Sequence, residues 1–232
     1  MESRSGPRLR FPRQQFGRAG SGGADRISAL PDDLLLLVLA GLHCTRAAAR
    51  TGVLCRRWRG LWARLHQIVL RDVAFDSIEP ALGRVSPAVS LLEIHVPAER
   101  SSYSPRVNSL LRAAARLEPE ELFLDLSSAL IGDSLVIVLP CFHRTSSITL
   151  GLFSDIHVPA GVEFTALETL YLGSCIDALD SLLSSCPRLR TLHLSGTVLN
   201  EPYVRVNSAT LLELVVDNKR THSINIVAPL LK

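Results

Sequence analysis

No stretch of this chain is apolar for long enough to cross a bilayer. The longest run, Leu34 to Ala40, falls far below the roughly 20 residues that a spanning helix needs, and a proline and two acids precede it. No membrane partner is expected. Paired cysteines are missing too: Cys44, Cys55, Cys141, Cys175 and Cys186 form an odd set without a C-x-x-C spacing. No histidines stand at metal-ligand spacing beside them, and although His143 follows Cys141, nothing else converges there. Free thiols in a reducing compartment, cytoplasm and/or nucleus, are the expectation, with no metal. Phosphate-binding and nucleophile motifs are also absent, with no G-x-x-x-x-G-K-[ST], G-x-G-x-x-G, G-x-S-x-G or H-E-x-x-H. Gly20-Ser21-Gly22-Gly23 lacks a preceding strand and a following lysine. The chain is therefore expected to be neither an enzyme nor a cofactor carrier.

What is present suits a folded, core-rich protein, since 47% of the 232 residues are hydrophobic and only 20% charged. The net charge of +3 is unevenly spread. Residues 1–24 carry five Arg against Glu2, residues 25–65 seven Arg against three Asp, and the remainder 13 basic against 18 acidic residues. A mildly acidic body argues against a specific nucleic-acid footprint on the larger part. Residues 1–24, rich in Gly, Pro, Ser and Arg and without period, predict a flexible basic tail. A solvated terminus, an organelle transit peptide, a nuclear import signal and a nonspecific polyanion contact all fit such a tail.

Residues 25–65 read as three short helices. Pro31 suits the first helical position, and Asp32 and Asp33 sit where the positive end of the helix dipole favours carboxylates. Leu34 to Leu39 then cover nearly the whole circumference, whereas one core needs only an apolar stripe. Such a helix wants a second hydrophobic partner. Thr45 is a plausible N-cap for a helix over 46–50, Gly52 breaks it, and 53–64 reads as a third helix with Leu54, Trp58, Leu61 and Leu65 on one face. A hydrophobic residue, Leu-Pro, two acids and a leucine-rich helix, followed by Val53-Leu54-Cys55-Arg56-Arg57-Trp58, resembles an F-box. The resemblance implies docking on a Skp-type adaptor and through it on a cullin. It implies contacts from Leu30, Pro31, Leu34, Leu35, Val38, Val53, Leu54 and Trp58.

The remainder, 66–232, repeats. Apolar pairs separated by one residue occur at Ile68-x-Leu70, Ile94-x-Val96, Leu122-x-Leu124, Ile148-x-Leu150, Leu170-x-Leu172, Leu192-x-Leu194 and Leu214-x-Val216, with steps of 26, 28, 26, 22, 22 and 22 residues. The last three units carry the fuller L-x-x-L-x-L form, beginning at Leu167, Leu189 and Leu211. That period matches a leucine-rich repeat, in which short parallel strands share one core and return segments cover its other side. Ser104-Pro105 predicts a helical return burying Val107, Leu110, Leu111 and Ala114. Asp177 predicts the cap of another, burying Leu179, Leu182, Leu183 and Cys186, and 135–139 reads as extended. The fold class expected is α/β: a three-helix F-box module, then a short leucine-rich-repeat solenoid with a parallel sheet.

Together these features resemble the plant F-box/leucine-rich-repeat family. The resemblance implies a substrate-recruiting subunit of a Skp-cullin-F-box ubiquitin ligase. The solvent-facing strand positions His95, Thr169, Tyr171, Thr191, His193, Glu213 and Val215 are expected to meet a protein target. The alternatives are a repeat-based interaction module without ligase function and, third, an enzyme with an unrecognised active site. Pro229 starts what looks like the lead-in at Pro187, but Lys232 comes before a strand can follow. The array is therefore expected to stop inside a repeat, with lower solubility or fraying over 197–232.

Overall fold

A computed structural model of the chain describes residues 27, 30–96, 104–126, 136–151, 155–173, 179–195, 203–217 and 223–231. The basic tail, Asp25, Arg26, Asp177 and Leu135 lie outside the described residues.

The regular alternation of leucines builds a seven-stranded parallel sheet. Its strands are β1 (Gln67–Leu70), β2 (Leu91–His95), β3 (Glu121–Asp125), β5 (Ser147–Gly151), β7 (Thr169–Leu172), β8 (Thr191–Ser195) and β10 (Glu213–Asp217), in that spatial order. Each repeat adds one strand beside the last, and the register carries Leu122 onto Ile148, Leu170, Leu192 and Leu214. The hydrogen bonds continue into the strand lead-ins, where the Glu168, Arg190 and Leu212 amides each donate to the preceding repeat at 2.8 Å.

The second repeat corrects the sequence register. Ile68 pairs with Leu92 and Leu70 with Ile94, so the inward pair is Leu92-x-Ile94 rather than Ile94-x-Val96. A period of two cannot distinguish a strand from its copy shifted by two residues, and Val96 is buried as well. The strand nevertheless ends at His95.

Return segments close the other side of the core in two forms. Helices α3 (Phe75–Leu82), α4 (Ser104–Ala115) and α5 (Leu179–Ser184) follow β1, β2 and β7. Short parallel pairs cover the rest: β4 (Val136–Val138) with β6 (Asp155–His157), and β9 (Tyr203–Asn207) with β11 (Ser223–Val227). In α4, Val107, Leu110, Leu111 and Ala114 are buried as the helical spacing predicts. The change from helical to extended return is bridged by Asn108, whose amide donates to the Val136 carbonyl (3.2 Å) and accepts from the Val138 N–H (2.8 Å). An edge that would otherwise lack partners is thereby satisfied.

The N-terminal helices share this core. α1 (Asp32–Ala40) and α2 (Thr45–Arg50) bury Leu35, Leu39 and Ala48 in a cluster continuous with Ile68, Ile78 and Leu92. Thr45 begins α2 instead of capping it. Its hydroxyl accepts the Val69 N–H at 2.8 Å, and Arg46 donates to the Asp72 carbonyl at 2.9 Å. The helices thus cap the open edge at β1, which a repeat array requires at its ends.

The continuous third helix does not form. Three 3-10 turns, Thr51–Val53, Arg56–Trp58 and Leu61–Arg64, replace it. Cys55 is extended, and Gly60 adopts φ 82°, a left-handed conformation that breaks the α-helix and favours glycine. Among the described residues within 197–232 three strands form, but Leu214 and Val216 are only half-buried, whereas the inward pairs of the six preceding sheet strands are buried.

Candidate binding surfaces

The first surface lies on the capping helices. Asp32, in the first turn of α1, receives Arg57 Nε and Nη2 on Oδ1 at 3.0 and 2.8 Å, and Arg64 Nη1 on Oδ2 at 3.2 Å. The clamp ties the turn bearing Trp58 to the start of α1. Hydrogen bonds from Arg57 first, aided by its charge and by Arg64, hold the Asp32 carboxyl below its usual range despite desolvation. A depressed carboxyl stabilises the fold at neutral pH and loses that contribution as acid protonates it. The gap in thermal midpoint between wild type and Asp32→Asn should therefore be present at neutral pH. It should close as pH falls below roughly 4.

Of the expected adaptor contacts, two belong to the interior. Leu35 is fully buried and Trp58 is 5% exposed, because each completes the packing between the capping helices and the first repeat. The others face outward or lie at the margin: Leu30 is half-buried, and Pro31, Leu34 and Val38 are exposed. Val53 is 85% and Leu54 68% exposed. Leu37, which the sequence did not single out, is 68% exposed. Apolar residues so open and so close in sequence are not what a self-sufficient cap needs.

The second surface is the outer face of the sheet. Register places Val69, Glu93, Phe123, Thr149, Tyr171, His193 and Val215 in one row across the seven strands. Tyr171 and His193 stack with ring centroids 4.2 Å apart. Thr169, Thr191 and Glu213 share the row before it. His95 stands one row beyond, beside Asp125, since the corrected register gives the central position to Glu93. His95 Nε2 lies 2.6 Å from Glu93 Oε1, its ring packs 5.1 Å from Phe123, and Arg71 pairs with the same carboxylate. Desolvation raises the Glu93 pKa, but hydrogen bonds from His95 and Arg71 outweigh it and leave the group below its ordinary value. Phe123 was legible in the sequence as the residue between Leu122 and Leu124.

Cys186 belongs to neither surface. Burial pushes its thiol up to about 12, so the reactive thiolate is scarce. In native protein at neutral pH, iodoacetamide should label Cys44, Cys55 and Cys141, all partly exposed, well before Cys186. Mass spectrometry of the digest reads the order, and denaturant should abolish it.

A single parallel ladder with apolar interior pairs, mixed helical and extended returns and a partly exposed outer row defines a leucine-rich-repeat solenoid. Its helical end carries a second surface. The family model for the LRR repeats of the FBD-associated F-box protein At5g56370 matches residues 107–232. The chain belongs to the plant F-box/leucine-rich-repeat family. Among its Arabidopsis thaliana relatives, F-box/FBD/LRR-repeat protein At5g22700 is 30% identical over 227 residues, covering 85% of this chain and 48% of that one. Putative FBD-associated F-box protein At5g56560 is 29% identical over 213 residues (84% and 49%), and F-box/LRR-repeat protein At1g55660 is 29% identical over 189 residues (72% and 51%). The chain spans about half the length of these curated relatives. No solved structure matches it.

Proposed function

We propose that the chain recruits a protein substrate to a Skp-cullin-F-box ubiquitin ligase, with the capping helices as an F-box that docks the adaptor. The single observation that carries the reading is the exposure of Leu37 on α1 and of Val53 and Leu54 at the first 3-10 turn, in a cap whose own core is already complete. Leu34 and Val38 extend that surface along α1. A cleft of about 620 Å³ opens beside it, lined by Leu36, Leu37, Ala40 and Arg64 among others. The names of the relatives support the same reading. The adaptor contacts proposed are Leu30, Pro31, Leu34, Leu37, Val38, Val53 and Leu54, while Leu35 and Trp58 hold the module together from within.

The outer sheet face, with Thr169, Tyr171, Thr191, His193, Glu213, Val215 and His95, is proposed to meet the target. Thr45 and Arg46, bonded to the first repeat, hold the two surfaces in fixed relation. Catalysis then belongs to the ligase, and this chain supplies position. Affinity purification of the tagged full chain from plant cells tests the assignment. Adaptor and cullin should be recovered together in salt-resistant amounts, and recovery of the chain without either would refute it.

A further inference from the structure

The cap carries charge of one sign around its most exposed apolar residues. Residues 30–65 hold six arginines, at 46, 50, 56, 57, 59 and 64, against Asp32 and Asp33. Asp32 is already shared by Arg57 and Arg64, and Arg46 is turned onto the Asp72 carbonyl. Arg50, Arg56 and Arg59 are exposed, and none of them makes an ion pair among the described residues.

These three flank Val53 and Leu54. Arg50 ends α2 immediately before the Thr51–Val53 turn, and Arg56 opens the next turn just beyond Leu54. Arg59 comes from across the fold. Its Nε donates to the Gly52 carbonyl at 3.4 Å, and a Cβ on Gly52 would stand 3.5 Å from the Arg59 Cα. Gly52 therefore admits the second turn against the first, which sets a guanidinium at the peptide leading into Val53.

An apolar knob with a charged rim has the anatomy of one side of an interface, in which the centre is desolvated and the rim stays wet. Rim charges act over about a Debye length, roughly 10 Å at 0.1 M salt, and they speed encounter more than they tighten the docked state. From this arrangement we infer that the protein docked on the cap presents carboxylates around an apolar hollow, which rests on the proposed role of the cap in binding the adaptor. Charge guides the partner in, and Val53 and Leu54 hold it. Guanidiniums suit carboxylates because a planar fork meets both oxygens. A lipid surface calls for a helix with a broad apolar face, whereas Val53 and Leu54 stand at a turn of three residues.

Stopped-flow mixing of the full chain with a purified Skp-type adaptor reads association and dissociation separately. Association should slow by about tenfold or more between roughly 0.03 and 0.3 M salt, while dissociation changes little. At the lower salt, the triple variant Arg50→Gln/Arg56→Gln/Arg59→Gln should associate about tenfold more slowly than wild type and lose most of the salt dependence. Leu54→Ala should give the reverse pattern, with faster dissociation and wild-type association. The double variant Arg50→Gln/Arg56→Gln leaves the contact between Arg59 and Gly52 in place, so it remains informative if the triple variant melts early.

Association that is independent of salt, or equally fast in the arginine variants, would overturn the inference and leave the ligase assignment standing. Vesicles of phosphatidylcholine and phosphatidylserine in equal parts should leave the chain in solution. Their capture of wild type, lost in the triple variant, would assign the arginines to a lipid surface instead. A wild-type chain that fails to bind the adaptor at any salt would defeat the ligase assignment, and this partner chemistry with it.

Discussion

Leu54→Asp should reduce adaptor binding by at least about a hundredfold while leaving the thermal midpoint nearly unchanged. At 68% exposure the leucine supports little of its own fold, and surface substitutions of this kind change stability by about 0.5 kcal/mol or less. In the complex the sign reverses. A fully buried leucine contributes about 1.5–3 kcal/mol, and an aspartate in its place would also have to be desolvated without a partner. Two such terms exceed the roughly 2.8 kcal/mol that a hundredfold requires. Val53→Asp should behave alike, since Val53 is the most exposed of the large hydrophobics among the described residues. Titration of purified adaptor into each variant, beside its melting curve, provides both numbers.

Trp58→Ala should give the opposite pattern. Its ring is 5% exposed within the continuous core, and truncating a buried tryptophan costs about 3–5 kcal/mol. That lowers the thermal midpoint of a chain this size by about 10 °C. Adaptor binding should persist at temperatures where the variant remains folded. A melting point equal to wild type together with lost binding would return Trp58 to the interface. Leu35→Ala belongs with Trp58, at about 2–5 kcal/mol, because Leu35 is fully buried.

The contrast between Leu54 and Trp58 shows where sequence reading reached its limit. Both were expected on one face of a helix, and the motif alone treats them alike. Gly60 at φ 82° and an extended Cys55 turn that helix into separate 3-10 turns, which send Trp58 inward and leave Leu54 outside. A spacing argument assumes one axis, and here there is none. The apolar surplus of α1 was legible because composition alone shows more leucine than one stripe can bury. Which leucines remain outside depended on where the first repeat packs.

The solenoid was more legible than the cap, since strand alternation is local and each repeat restates it. From Leu122 onward every inward pair lies where the periodicity placed it. The slip at Ile94 arose because Leu92, Ile94 and Val96 all alternate and all bury, so only pairing with β1 and β3 selects among them. Tyr171 beside His193 followed directly from the repeat length of 22 residues. The capping role of Thr45 on Val69 had no sequence signal, because a contact 24 residues away depends on the docked helix.

The central proposal is that the capping helices bind a second protein. Its most direct measurement is isothermal titration of the purified full chain with a purified Skp-type adaptor at two temperatures. One-to-one saturable binding should be seen, with a heat of binding that becomes more negative on warming, as burial of apolar surface requires. A folded chain that releases no heat at either temperature and stays separate from the adaptor on gel filtration would contradict it.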